Sequence, residues 1–245
     1  MYYNYVMKLL IEKYQYTPIN RQSVEGKRLY SCPDGSKVPS VTTILSATKP
    51  EEDKAALQAW RKAVGYEKAQ QITTEAASRG TRMHKFLEDF VEQGYINEAG
   101  SNPYSQQSHK MAQHIIDHGL KHVNEVWGNE VALYYPGLYA GTTDAVGLHL
   151  GEPAIIDYKQ SNKPKKREYI EDYYLQLAAY AIAHNHIHNT SIQKGVVLMC
   201  VKPPELSPWV WGEPQYQEFI LEGSEFNKYV NKWWDRVDAY YSMNG

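Results

Sequence analysis

Asp157-Tyr158-Lys159 closes a short apolar run, Ala154-Ile155-Ile156, that reads as a buried strand. Side chains alternate faces along a strand, so Asp157 and Lys159 point the same way. A carboxylate and an ammonium on one face at the end of a buried strand suit a hard divalent cation with a nucleophilic water beside it. Upstream, Gly141 to Leu150 reads as a second strand carrying Asp144, and Gly151-Glu152-Pro153 is a turn signal between the two. So short a connection is most simply an antiparallel hairpin. Counted from the turn, Asp144 lies about as far back as Asp157 lies forward, which sets the carboxylates side by side. Paired carboxylates repel unless a cation joins them, and oxygen ligands favour Mg²⁺ or Mn²⁺.

Other elements frame this hairpin. The first half reads as mainly helical: a helical region from Ser40 that ends before Pro50, then helices over Glu51 to Val64, Thr73 to Gln93 and Gln106 to Val126. Strands follow over Glu130 to Tyr135, Gly141 to Leu150 and Ala154 to Lys159. A helix from about Ile170 to His184 leads to a strand over Gly195 to Val201, a candidate for parallel pairing through that crossover. Tyr216 to Leu221 is a further strand candidate, and Ser224 to Tyr241 a closing helix. Residues 1–37 are Tyr-rich and irregular, with a short strand candidate at Leu29-Tyr30-Ser31. His84 and Glu88 are four apart and share a helix face, as do Gln176 and Tyr180. Leu175, Ala178, Ala179 and Ile182 form the apolar face of the latter helix, which leaves Gln176 and Tyr180 beside the site and outside the core.

The ordered set Asp144, Asp157-x-Lys159 and Gln176-x-x-x-Tyr180, with Gly80-x-x-x-His84-x-x-x-Glu88 upstream, resembles the PD-(D/E)XK nucleases of the RecB-like exonuclease type. Pro39-Ser40-Val41-Thr42-Thr43-Ile44-Leu45 is similar to a segment of the mitochondrial genome maintenance exonucleases and their phage relatives. The resemblance covers roughly Val38 to Met199. It implies an α/β fold with a restriction-endonuclease-like three-layer α/β/α core and a mixed sheet, plus a helical N-terminal lobe or arch. Residues 1–128 would form that helical region and 129–245 the nuclease core, in one integrated domain. One departure is Gln160, where relatives often carry Thr after the Lys.

The resemblance also implies roles. His84, Asp144, Asp157, the Tyr158 backbone carbonyl and Glu130 would hold Mg²⁺ or Mn²⁺, with Glu88 close to His84. Lys159 would orient or help deprotonate the attacking water and steady charge on the phosphate. Gln176 would support Lys159 or hold the DNA backbone, together with Tyr180. Arg82 and Lys85, and the cations of the loop after the strand, Lys163, Lys165, Lys166 and Arg167, are placed to meet phosphates. The expected activity is a DNA exonuclease preferring single strands with a free end, in the setting of replication or recombination proteins. A flap-type endonuclease with the same site, a catalytically silent DNA-binding protein and a metal-dependent hydrolase of another substrate are the alternatives.

Composition limits these readings without choosing among them. The 245 residues carry 26 Lys and Arg against 28 Asp and Glu, net −2, so any grip on nucleic acid must come from local patches. Two cysteines, Cys32 and Cys200, are too few for the four-cysteine iron–sulfur cluster of some relatives, and none is expected. With 42% hydrophobic residues and a mean hydropathy of −0.60, a soluble globular chain is expected, without a membrane span. Met1 to Val6 lacks the features of a secretory signal, and the expected setting is cytoplasmic, in a bacterium or a phage-infected host. His114, His118 and His122 recur every four residues and read as a solvated helix face.

Overall fold

The computed structural model describes residues 9–24 and 27–244; the expectation drawn from Met1 to Val6 lies outside them. Three short strands, β1 (Asn20–Val24), β2 (Lys27–Ser31) and β3 (Lys37–Pro39), form an antiparallel meander. Then α1 (Val41–Ala47) starts at Ser40, whose hydroxyl accepts from the Thr43 N–H at 2.9 Å. The exposed helix α2 (Glu51–Val64) opens on Glu51, Glu52 and Asp53, closes on Arg61 and Lys62, and buries no side chain. Gly65, at φ 92°, turns the chain into α3 (Tyr66–Gln93), which begins seven residues earlier than its sequence pattern suggests.

Helix α4 (Pro103–His118) is capped by the Asn102 side chain and stops at Gly119. The stretch expected to continue it, Val123 to Val126, is strand instead: β4 runs Val123–Tyr135. His122 therefore leaves the helix and sits in a 3₁₀ turn, Leu120–His122, while His118 stacks on Tyr216. The three histidines do not share one solvated face. Strands β5 (Tyr139–His149) and β6 (Glu152–Ser161) make the hairpin. Its turn is Leu150-Gly151, with Glu152 and Pro153 already in strand. Both turn residues have positive φ, 52° and 82°, as two-residue type I′ connections require. After α5 (Glu171–His188) come β7 (Lys194–Val201), a small hairpin of β8 (Glu205–Ser207) and β9 (Val210–Trp211), β10 (Gln215–Glu222) and α6 (Gly223–Asn244).

The main sheet is mixed, in the order β10-β7-β6-β5-β4, with β6 and β7 parallel through the α5 crossover and the other neighbours antiparallel. Its two faces are buried in separate cores. One packs Ile155, Val197 and Met199 against α1, α5 and α6, with Trp233 fully buried. The other packs Ile156, Tyr158 and Leu198 against Met83, Leu87 and Val91 of α3 and Met111 and Ile115 of α4. The result is an α/β fold with helices on both faces of a mixed sheet. Every residue of β7 is buried, as a strand covered on both faces must be. Helix α5 is enclosed between the sheet and α6; Tyr180, expected outside the core, is 3% exposed, with its ring against Gly141 of β5. No helix among the described residues is long and apolar enough to cross a membrane.

Candidate metal and catalytic centre

The hairpin sets the geometry. Ala145 pairs with Ile156, so the next step along the ladder places Asp144 opposite Asp157. Asp144 is held by its own hairpin partner: the Tyr158 N–H donates to Oδ2 at 2.6 Å. Its Oδ1 lies 3.4 Å from Nδ1 of His84, which α3 lowers onto the sheet. Glu130 completes a cluster, with Oε1 3.9 Å from the same nitrogen. Sequence reading put Glu130 at the start of its strand; it is in the middle of β4, at φ 51°, between paired residues Asn129 and Val131. A non-glycine residue in the left-handed region is uncommon and costs strain.

His84, Glu130 and Asp144 bring one donor atom each to within 4.8 Å of one another. Asp157 is outside that trio and engaged by Lys159, whose Nζ is 2.8 Å from Oδ1 and 2.6 Å from Oδ2. Oδ2 of Asp157 is buried and receives no hydrogen bond in line. Three carboxylates and one imidazole fit a hard or borderline divalent cation. Magnesium would take chiefly the oxygens.

Charge in the cluster is strongly correlated. Burial alone would lower the His84 pKa, but Asp144, with help from Glu130, raises it to about 10. Burial works against ionised Asp144, and His84 and Lys159 outweigh it, holding that carboxyl below its usual range. Asp157 goes the other way: burial pushes it up to about 6, with Lys159 opposing and the Asp144 charge adding to the rise. Lys159 is also buried, which disfavours its charge, yet Asp157 and Asp144 keep its pKa above the ordinary ammonium value. It is a proton-bearing cation, which suits charge stabilisation and not removal of a proton from water.

Lys159 is positioned from α5. Gln176 Oε1 accepts from its Nζ at 3.2 Å, and the Tyr173 ring lies 5.1 Å away. Tyr180 hydrogen-bonds Gln176 and has its hydroxyl against Gly141, where a Cβ would come within 2.7 Å of it. Buried there, Tyr180 cannot touch a DNA backbone; its contact is with Gln176. On the other side Gln160 bridges β6 to α3, accepting from Arg79 Nε at 2.9 Å and donating to Ala76 O at 3.0 Å.

The cations predicted to meet phosphate are scattered. Lys85 is exposed but paired with Asp89 at 2.9 Å. With His84, Glu88, Glu130, Gly80 and Thr81 it lines an open recess of about 440 Å³ leading to the cluster. Lys163 and Lys166 are exposed, and Lys165 is half-buried, its backbone tied to Gln217. Arg167 is exposed and engaged by the protein itself. It pairs with Glu225, donates to Ile220 O at 2.7 Å and covers the Tyr174 ring, so it fastens the loop to β10 and α6. Arg82 instead faces a second recess, about 410 Å³, lined by Arg79, Lys202, Tyr104, Trp209 and Trp211 among others. Sequence reading missed this recess, because α3, α4, the end of β7 and the β8–β9 hairpin each supply part of it.

No family model matches the chain. Curated relatives do. A protein of Mus musculus named "Mitochondrial genome maintenance exonuclease 1" is 28% identical over 215 residues, 84% of this chain and 59% of the relative. Its namesake in Homo sapiens is 28% identical over 214 residues, 83% of this chain and 58% of that one. The one in Xenopus tropicalis is 30% identical over 217 residues, 83% and 57%. The chain spans less than two thirds of the length of these relatives. Over most of its own length it nonetheless resembles the mitochondrial genome maintenance exonucleases, nucleases of the PD-(D/E)XK type.

Proposed function

We propose that the protein is a divalent-metal-dependent DNA exonuclease that acts on single strands with a free end. The observation that carries the reading is the pairing of Asp144 with Asp157 at one end of a hairpin, with His84 against the first and Lys159 against the second. His84, Glu130, Asp144 and Asp157 are the residues to hold Mg²⁺ or Mn²⁺. When bound, the metal would lower the pKa of water and neutralise charge on the phosphate. Lys159, kept protonated by two carboxylates, stabilises negative charge as it builds on the phosphate oxygens. Gln176 fixes the Lys159 ammonium, and Tyr180 fixes Gln176.

The preference for single strands draws on the second recess. Tyr104 and Trp209 are exposed aromatics in edge-to-face contact, with Arg79, Arg82 and Lys202 around them. Aromatic faces beside cations accept unpaired bases and their phosphates without regard to sequence. Helix α2, which buries nothing, is the candidate arch under which an end would pass.

The test is Mg²⁺-dependent digestion of end-labelled linear and circular single-stranded DNA, with Asp157→Ala and Lys159→Ala as controls. The expected result is loss of the linear strand alone, abolished in both variants. Cutting of the circle would replace the reading with an endonuclease. No metal-dependent cutting of either would refute it.

A further inference from the structure

We propose that His122, His149 and Glu218 form a second metal site, for Zn²⁺, separate from the nuclease centre. The three come from distant parts of the sequence: the 3₁₀ turn after α4, the last residue of β5 and the middle of β10. Glu218 is the hub. Its Oε2 is 3.8 Å from His122 Nδ1 and its Oε1 is 3.6 Å from His149 Nε2, and one donor of each residue lies within 4.8 Å of the others. These separations exceed hydrogen-bond length. They approach those in a zinc tetrahedron, where bonds of about 2.0–2.1 Å put neighbouring donors ~3.3 Å apart. The two carboxylate separations lie a few tenths of an ångström beyond that spacing, and the donors would draw together around the ion.

The imidazoles themselves indicate that a ligand is due. His149 is fully buried, and neither of its ring nitrogens has a hydrogen-bond partner among the described residues. His122 Nδ1, turned toward Glu218, is buried and unpartnered as well. Buried polar groups are ordinarily paired, and a cation bound by Glu218 would satisfy both His122 Nδ1 and a ring nitrogen of His149. The two rings are 6.1 Å apart at 84°, an arrangement in which both can point at one ion. Glu218 is oriented from outside by the Tyr216 hydroxyl, which donates to Oε2 at 2.5 Å. The nearby cation Lys194 is matched by two carboxylates, Glu152 at 2.9 Å and Glu222 at 3.6 Å.

Two imidazoles and one carboxylate favour Zn²⁺ over Mg²⁺, which prefers an all-oxygen shell. A zinc ion here would fasten the edge strand β10 to the end of the β5–β6 hairpin and to the turn after α4.

The experiment uses the full chain carrying His84→Ala, so that the nuclease cluster cannot compete, stripped with a chelator and titrated with ZnCl₂. Bound zinc is counted by mass spectrometry and by competition with a chromogenic chelator. X-ray absorption reads the donor shell. One zinc per chain, two imidazoles and oxygen at about 2.0 Å, and a rise in the thermal midpoint are expected. Glu218→Gln and His122→Ala, each added to that background, should lower zinc affinity at least tenfold and remove the thermal shift. His122 is half-buried, and its variant guards against a folding defect in the other; circular dichroism of the metal-free chains checks both. Failure to bind zinc at one per chain, an all-oxygen shell, or unchanged affinity in the folded variants would overturn the site.

Discussion

Asp144 and Asp157 face each other one step beyond the last paired residues of the β5–β6 ladder, yet they have different partners: His84 for the first, Lys159 for the second. Their replacements should therefore fail differently. Asp144→Asn removes the counter-charge of His84 and should reduce both metal binding and cleavage by at least ~100-fold. Lys159→Ala should leave metal binding within a few-fold of the parent while lowering the cleavage rate by about 10²–10³. Calorimetric titration with Mn²⁺ beside single-turnover cleavage separates the two. Equal loss of metal in both variants would sink the division of labour.

Acid should abolish the proposed cleavage through Asp157. Its carboxyl is raised to about 6, so it takes up a proton as pH falls through that value, and a protonated ligand does not bind metal. Metal and proton compete for the same oxygen. The acid limb of the rate profile should thus move to lower pH as Mg²⁺ is increased. A limb that stays in place across a hundredfold range of Mg²⁺ would show that another group governs it.

Support for Lys159 from α5 is open to a graded test. Gln176→Ala deprives the ammonium of an acceptor and should slow cleavage about 10–100-fold with metal affinity preserved. Gly141→Ala should produce part of that defect, because its Cβ collides with the Tyr180 hydroxyl at 2.7 Å and displaces the residue that holds Gln176. If Gly141→Ala in a chain of normal thermal stability cleaves at the parental rate, Tyr180 has no such role.

Stability should fall in mild acid because of a histidine remote from the site. Burial, with His188 adding, lowers the His184 pKa to about 3 from 6.5, and the neutral ring bridges Tyr16 and Thr190. The unfolded chain binds a proton at this residue below about pH 6.5 while the folded chain does not. Folding stability therefore drops as pH goes from 6.5 toward 3, by at most ~1.4 kcal/mol per pH unit from this group. Urea denaturation at pH 7 and pH 5 should show a smaller difference for His184→Gln than for the parent.

What the sequence discloses about this fold is chiefly what two simple periods disclose. Alternation along β6 puts Asp157 with Lys159, and counting from the turn puts Asp144 beside them. The four-residue spacing of His84 and Glu88 likewise lines them along one recess. The parts that escape are those set by a second packing layer or by distant segments. Tyr180 looks peripheral because α5 carries an apolar face without it, and becomes core because the missing Cβ of Gly141 on β5 leaves room for its ring. Val123 to Val126 continues an apolar pattern from α4, and the break at Gly119 is local geometry that periodicity does not register. Arg167 reads as one more cation in a basic loop until Glu225, 58 positions later, arrives beside it. Of the histidines around Glu218, His122 reads as the end of a helix-face repeat and His149 belongs to no sequence pattern, so nothing in the sequence joins them.

The Leu150-Gly151 turn has a consequence for how this chain can vary. Five residues, Ala145 to His149, about 20 Å of strand from Asp144 to Leu150, separate Asp144 from a connection that is already as short as hairpins allow. Parity is transmitted over that distance. A single residue inserted within either arm exchanges inward for outward along everything beyond it, and would carry one carboxylate away from the other while leaving composition and hydrophobicity nearly unchanged. Lengthening is harmless only in the turn itself, where the register of both arms is kept. Among natural or designed variants of this chain, insertions at Leu150-Gly151 should accordingly be compatible with cleavage, and single insertions between Asp144 and His149 should not.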